Sequence, residues 1–183
     1  MNGSHTWDEF LDLDEDDQRE LLDGDFVEIE VPTWTHGCIV GALIGALGSW
    51  ARLKKTGRVL ASGYKLRIDD RRGAMPDIQF YRTGNWPVGQ DRGLETGHPD
   101  LAIEVISPSS RSKDRVRKLY DYAAIGIPEY WLVDPEARTL ERLVLREGTY
   151  SIVEALEGDA VFRPAGFDGL EIDLRSLWED AEA

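Results

Sequence analysis

Two carboxylates stand in apolar, strand-like runs where an uncompensated charge would be expensive to bury. They are Asp77, in Met75-Pro76-Asp77-Ile78-Gln79-Phe80, and Glu104, in Asp100-Leu101-Ala102-Ile103-Glu104-Val105-Ile106. Gly, Pro or Ser turn signals bound both runs. If the two strands pair, the acids can converge on one hard cation, Mg²⁺ or Mn²⁺, ions that prefer carboxylate oxygen and retain waters for chemistry. A buried ion pair would also hold them, since arginine is plentiful. Alternate strand residues share a face, so Asp100 and Glu104 point one way while Leu101, Ile103 and Val105 point the other. Glu104 lies deep in its run, whereas Asp100 reads as an exposed turn acid. Asp77 opens its strand behind Pro76, where no ladder donor is required.

Other chemistry-bearing residues carry weaker signals. His36 and Cys38 are two apart, which on a helix separates them around the axis and spoils both zinc ligation and a Cys-His nucleophile pair. His36 reads as a residue that caps or packs a helix start. Trp86 and Trp131 offer faces for stacking on bases, with core packing the default for Trp131. The Gly-rich stretch 84–97 lacks phosphate-loop spacing, and no GxGxxG signature occurs.

The elements that must position these groups can be read from periodicity and turn residues. A short acidic helix is expected over Asp14 to Leu22, ending near Gly24, followed by a half-exposed strand from Phe26 to Val31. A long helix is expected from about Thr35 to Leu53, with Thr33 or Thr35 as N-cap and Ile39, Leu43, Leu47, Trp50 and Leu53 at helical spacing. Its Gly37, Gly41 and Gly45 stripe suggests close packing against the sheet or a second subunit. Strands Arg58 to Ser62 and Tyr64 to Ile68 lead through an Asp69 to Gly73 turn into the Asp77 strand, and a polar loop spans Thr83 to Gly97. Ser107-Pro108-Ser109-Ser110 reads as the turn and cap of a helix from about Ser112 to Ile125, stopped by Gly126 and Pro128. Then come a Glu129 to Val133 strand, a hairpin around Glu147-Gly148, and a C-terminal strand and helix.

A chain of 183 residues with 42% hydrophobic content is long enough for one full core, so a single domain over 1–183 is expected. The lone Cys38 excludes an internal disulfide framework, and acids occupy Met1 to Asp17 where a signal peptide would be apolar, which points to the cytoplasm. Gly37 to Ala51 is uncharged yet shorter than the ~20 residues a bilayer needs, and reads as a buried helix with no membrane role. The net charge of −14 opposes broad affinity for nucleic acid. Its distribution is uneven: acids crowd Asp8 to Glu30 and Asp168 to Glu182, while Arg111, Lys113, Arg115, Arg117 and Lys118 form a basic patch beside the Glu104 strand.

The ordered set Glu20-Leu-Leu-Asp-Gly24, His36-Gly37, Met75-Pro-Asp77, Pro99-Asp-Leu-Ala-Ile-Glu104-Val-Ile-Ser-Pro-Ser109, Lys118, Tyr122, Gly126 and Glu129-Tyr-Trp-Leu-Val-Asp-Pro135 resembles the Uma-two family of restriction endonucleases. That family is a branch of the PD-(D/E)XK nuclease superfamily, and the match runs from about residue 19 to 146. The resemblance implies an α/β fold with a restriction-endonuclease-like mixed β-sheet flanked by helices, a divalent metal, and hydrolysis of DNA phosphodiester bonds. It assigns Asp77 and Glu104 as metal ligands and Glu20 as an assisting acid on a helix. For Glu20 a solvated acid in an acidic helix is the competing reading.

The motif's lysine two residues after the second acid is absent, since Ile106 stands there. The family pattern implies a lysine moved to the following helix, where Lys118 matches, with Asp114 and Tyr122 on its face. Against this, the apolar stripe of Val116, Leu119, Tyr120 and Ala123 places Lys118 off the buried centre. Lys113 and Lys65 are fallback candidates. The leading expectation is a Mg²⁺- or Mn²⁺-dependent endonuclease, with a homodimer plausible for cutting two strands. The alternatives are a noncatalytic binding module that keeps the fold and a phosphoesterase for smaller substrates.

Overall fold

The computed structural model of the protein describes residues 3–14, 17–29, 31–61, 63–86, 92–107 and 113–182. A six-stranded mixed sheet carries the site, in the order β11-β10-β9-β8-β6-β3. Its strands are β3 (Gly57–Ala61), β6 (Ile78–Arg82), β8 (Leu101–Val105), β9 (Glu129–Asp134), β10 (Thr139–Arg146) and β11 (Thr149–Glu157). β6 runs antiparallel to β8, with Ile78 opposite Ile103, and β8 runs parallel to β9, with Glu104 opposite Leu132. A smaller mixed sheet, in the order β2-β1-β5-β4-β7, lies beside it and is a second layer that the sequence reading did not anticipate. It comprises β1 (Arg19–Leu22), β2 (Asp25–Glu28), β4 (Lys65–Asp69), β5 (Arg72–Ala74) and β7 (Gly93–Leu94).

The strand alternation decides what covers each face. Ile78, Phe80, Leu101, Ile103 and Val105 turn into one core with Ile39, Leu43, Leu47 and Trp50 of α2 (Trp34–Lys54). The C-terminal helix α4 (Leu174–Glu182) joins this layer through Leu177 and Trp178. Ala102, Ile106, Tyr130 and Leu132 turn the other way, into a core closed by Tyr122 of α3 (Lys113–Ala124). Thr33 caps α2 by accepting from the His36 N–H, as its hydroxyl at an N-cap should.

Several expectations are corrected. The acidic segment before Gly24 is not a helix: Arg19–Leu22 pairs with Asp25–Glu28 as a hairpin. Asp23 and Gly24 both adopt positive φ (48° and 86°), the geometry of a type I′ turn, so Asp-Gly here closes a hairpin rather than a helix. The first helix is instead α1 (Trp7–Leu11), started by a Thr6/Glu9 capping box. The long uncharged helix is buried on one side only. Cβ atoms added at Gly37, Gly41 or Gly45 would meet nothing within 4 Å, so the stripe packs against no described part of the chain. The Ser107-to-Ser110 turn and its cap lie outside the described residues beyond Ser107, as does the centre of the Thr83-to-Gly97 loop. The hairpin at Glu147-Gly148 is present, again with both residues at positive φ. No helix among the described residues is long and apolar enough to cross a membrane.

Candidate active site

Continuing the β6–β8 register one step past Ile78 and Ile103 sets Asp77 opposite Glu104. Asp77 has the parity of Gln79 and Tyr81, and Glu104 that of Ala102 and Ile106, so both acids belong to the sheet face covered by α3. Asp77 Oδ2 accepts a hydrogen bond from the Val105 N–H at 2.8 Å and lies 3.2 Å from His36 Nε2. Burial alone would raise the Asp77 pKa, but the His36 contact and the charges of His36 and Lys118 outweigh it and hold the carboxyl below its ordinary range.

Glu104 is only 7% exposed. Its Oε1 accepts from the Tyr122 hydroxyl and lies 3.0 Å from Lys118 Nζ. Burial pushes its pKa up to about 8, with Lys118 opposing and Asp77 reinforcing the rise. Lys118 experiences the converse. Burial would lower its pKa, yet Glu104, Glu20 and Asp77 together hold the amine firmly charged. Its side chain is 15% exposed, with Nζ held between Glu104 and Glu20.

Glu20 sits on β1, not on a helix, and both its oxygens are engaged. Oε1 accepts from the Met75 N–H at 3.2 Å and lies 3.5 Å from Lys118 Nζ, while Oε2 lies 3.1 Å from Arg117 Nη2. The structure thus brings Asp77, Glu104, Lys118 and Glu20 into one cluster. Among the described residues, Asp77 Oδ1 and Glu104 Oε2 take no hydrogen bond or ion pair, so each acid leaves one oxygen unengaged there. No three His, Cys, Asp or Glu side chains among those residues form a metal-holding group by themselves. A cation would therefore draw on the two acids with water or substrate oxygens, the usual habit of Mg²⁺.

The reading of α3 as apolar-face-inward holds only in part: Leu119 packs against the core and Ala123 is half-buried, but the rest of the stripe is turned out. Val116 and Tyr120 are exposed, whereas Asp121 and Tyr122 are buried and Lys118 is turned to the acids. Pairing with Glu104 and Glu20 dictates the helix rotation, because leaving those buried carboxylates unpaired would cost more than exposing Val116 and Tyr120. Lys65 is removed from the site, since its Nζ donates to the Phe10 carbonyl at 2.7 Å; the Lys113 and Asp114 side chains lie outside the described ones. Arg117 and Lys118 serve carboxylates, so they leave the basic patch as free phosphate contacts. Asp100 is half-buried rather than exposed, and its Oδ2 accepts from the Arg82 N–H at 2.7 Å and from Asn85 Nδ2 at 2.9 Å. Trp131 is fully buried in the core, and Trp86 lies under Arg58, 4.5 Å from its ring centroid.

Two residues complete the picture: His36, read in the sequence as one that caps or packs the helix start, and Tyr130, given no role there. His36 comes from α2, the helix on the opposite face, and its Nε2 lies 3.2 Å from Asp77 Oδ2. Tyr130 is one pair before Leu132 on β9, and its buried hydroxyl has no hydrogen-bond partner among the described residues. A signal for Tyr130 existed in its strand parity, since Tyr130, opposite Ala102, and Leu132, opposite Glu104, share one face.

A family model described as "Putative restriction endonuclease", Uma2, matches residues 7–175. The chain belongs to the Uma2 family. The Uma2 match extends beyond the span read from motifs and includes α1 and most of the C-terminal elements. No curated protein matches the chain. A solved structure described as "a putative nuclease belonging to DUF820 from Anabaena variabilis ATCC 29413" is similar at 22% identity, covering 97% of this chain and 99% of that one with a TM-score of 0.78. At this identity the likeness establishes the shared mixed α/β fold.

Proposed function

We propose that this Uma2 protein is a divalent-metal-dependent endonuclease that hydrolyses DNA phosphodiester bonds at the Asp77, Glu104 and Lys118 cluster. The observation that carries this reading is the pair of unengaged oxygens, Asp77 Oδ1 and Glu104 Oε2, on one sheet face beside a charged amine. The donor set fits Mg²⁺ or Mn²⁺, which favour carboxylate oxygen. Tyr130 adds support, because a buried hydroxyl without a protein partner suits a site that holds ordered water. When bound, the metal would polarise the scissile phosphate and lower the pKa of an attacking water.

The protein's own residues supply the remainder. Asp77 and Glu104 would hold the ion through those two oxygens. Tyr122 and Lys118 fix Glu104 Oε1, which orients the carboxylate. Lys118 offers its charge to the negative oxygens that develop on phosphorus, a role that Ile106, buried among apolar side chains, cannot fill. Glu20 is a positioning residue that holds Lys118 from the second sheet. Cutting both DNA strands calls for two such sites, which a homodimer would supply, and the lone Cys38 suits a reducing cytoplasm.

Purified protein with Mn²⁺ should nick supercoiled plasmid DNA, and Asp77→Asn or Glu104→Gln should abolish nicking while circular dichroism stays native. Undiminished cleavage in both variants would remove the proposed site. DNA binding with no cleavage under Mg²⁺ or Mn²⁺ would favour a noncatalytic module.

A further inference from the structure

Asp77 uses one oxygen for all of its contacts with the described residues. The Val105 N–H and His36 Nε2 both approach Oδ2, at 2.8 Å and 3.2 Å, and Oδ1 is left without a protein partner there. A carboxylate at a strand start has two free torsions, and the Val105 bond alone fixes only a point about which the group can turn. The second donor arrives from a different direction, because His36 lies on α2, across the sheet from α3. His36 is itself held: its N–H is bound by Thr33 Oγ1 at 3.2 Å at the start of the helix, and its ring keeps only 15% exposure.

We infer that His36 is a positioning residue which, together with the Val105 amide, locks Asp77 Oδ2 and so dedicates Oδ1 to the divalent cation. The inference rests on the metal-site reading above and extends it to a residue of the opposite layer. His36 acts through Asp77 and does not ligate the ion, in keeping with the lack of a three-residue metal-holding group among the described side chains. Partners of this kind around ligating groups typically contribute 10–100-fold to metal affinity.

The test is Mn²⁺ binding to the full-length chain by isothermal titration calorimetry, for wild type, His36→Ala and His36→Gln, with metal-free thermal melts run alongside. Gln can place its side-chain amide nitrogen where Nε2 lies and so restores a donor without a ring. The expected result is a loss of about 10-fold or more in Mn²⁺ affinity for His36→Ala, with recovery to within about 3-fold of wild type in His36→Gln. Equal affinity in wild type and His36→Ala would overturn the inference while leaving the metal site intact. Loss in both variants would overturn it in favour of His36 as a direct ligand. Wild type that binds no Mn²⁺ would overturn the metal-site reading, and this inference with it.

Discussion

Lys118 Nζ lies 3.0 Å from Glu104 Oε1 and 3.5 Å from Glu20 Oε1, so a single amine ties the middle of one sheet to the first strand of the other. The same contact fixes the rotation of α3 and places positive charge at the rim of the acid pair. Replacing Lys118 with Met keeps the length of the side chain and removes that charge. Cleavage should fall on the order of 10²-fold, the scale of losing one electrostatic stabiliser. Stability should drop by roughly 1–3 kcal/mol in urea unfolding, because two largely buried carboxylates lose their shared donor. Wild-type rates of plasmid nicking in this variant would remove Lys118 from the chemistry.

The pH dependence of the metal-free protein follows from Glu104. Its folded pKa of about 8 stands above the ordinary 4.5, so between those values the unfolded chain loses this proton first. Its contribution is fully present below about pH 4.5 and is lost as pH rises to 8. His36 acts in the same direction at the upper end, because Asp77 raises its pKa above 6.5. Asp77, with its lowered pKa, works only at acid pH, where stability is lost as pH falls below 3.8. Urea midpoints should therefore decline from pH 5 to pH 8, and Glu104→Gln should flatten the decline. A rising wild-type profile over that range would contradict the burial argument.

Asp121, buried next to Tyr122, anchors α3 to the smaller sheet. It pairs with Arg72 of β5, and its Oδ2 lies 3.7 Å from Arg117 Nε. Asp121→Ala should lower stability by about 1–3 kcal/mol, since two guanidinium groups lose a buried acceptor. Mn²⁺ affinity should change little while cleavage falls, because Lys118 loses support but the two acids do not. Calorimetric titration together with plasmid nicking would separate the two effects.

Two glycines should respond in opposite directions. Gly24 has φ of +86°, and an added Cβ would come within 2.6 Å of Arg71 Nη2, so Gly24→Ala should destabilise the Glu20 hairpin by about 1–3 kcal/mol. Gly41 lies inside α2 with nothing within 4 Å of an added Cβ, so Gly41→Ala should stabilise by about 1 kcal/mol. Thermal denaturation reads both. Destabilisation by Gly41→Ala would show that another surface covers this face.

The acid pair was legible because strand alternation is a short-range rule. Once Asp77 and Glu104 fell on paired strands, their common face followed from parity. The hairpin carrying Glu20 was misread: Asp23-Gly24 is a hairpin signal, but the acidic run before it favoured a helix. The rotation of α3 was not legible from its own residues. Apolar periodicity pointed Val116 and Tyr120 inward, and only the buried carboxylates of two other elements, remote in sequence, turn Lys118 and Asp121 in their place. The role of His36 was hidden for a related reason: its partner Asp77, just before β6, is 41 positions away in the sequence.

The most direct test is a crystal of the protein soaked in Mn²⁺ and measured at a wavelength where manganese scatters anomalously. An anomalous peak within coordination distance of both Asp77 Oδ1 and Glu104 Oε2, with Lys118 still beside Glu104, is the predicted result. A peak elsewhere, or none while Lys118 and His36 keep the two acids to themselves, would contradict the hydrolytic account.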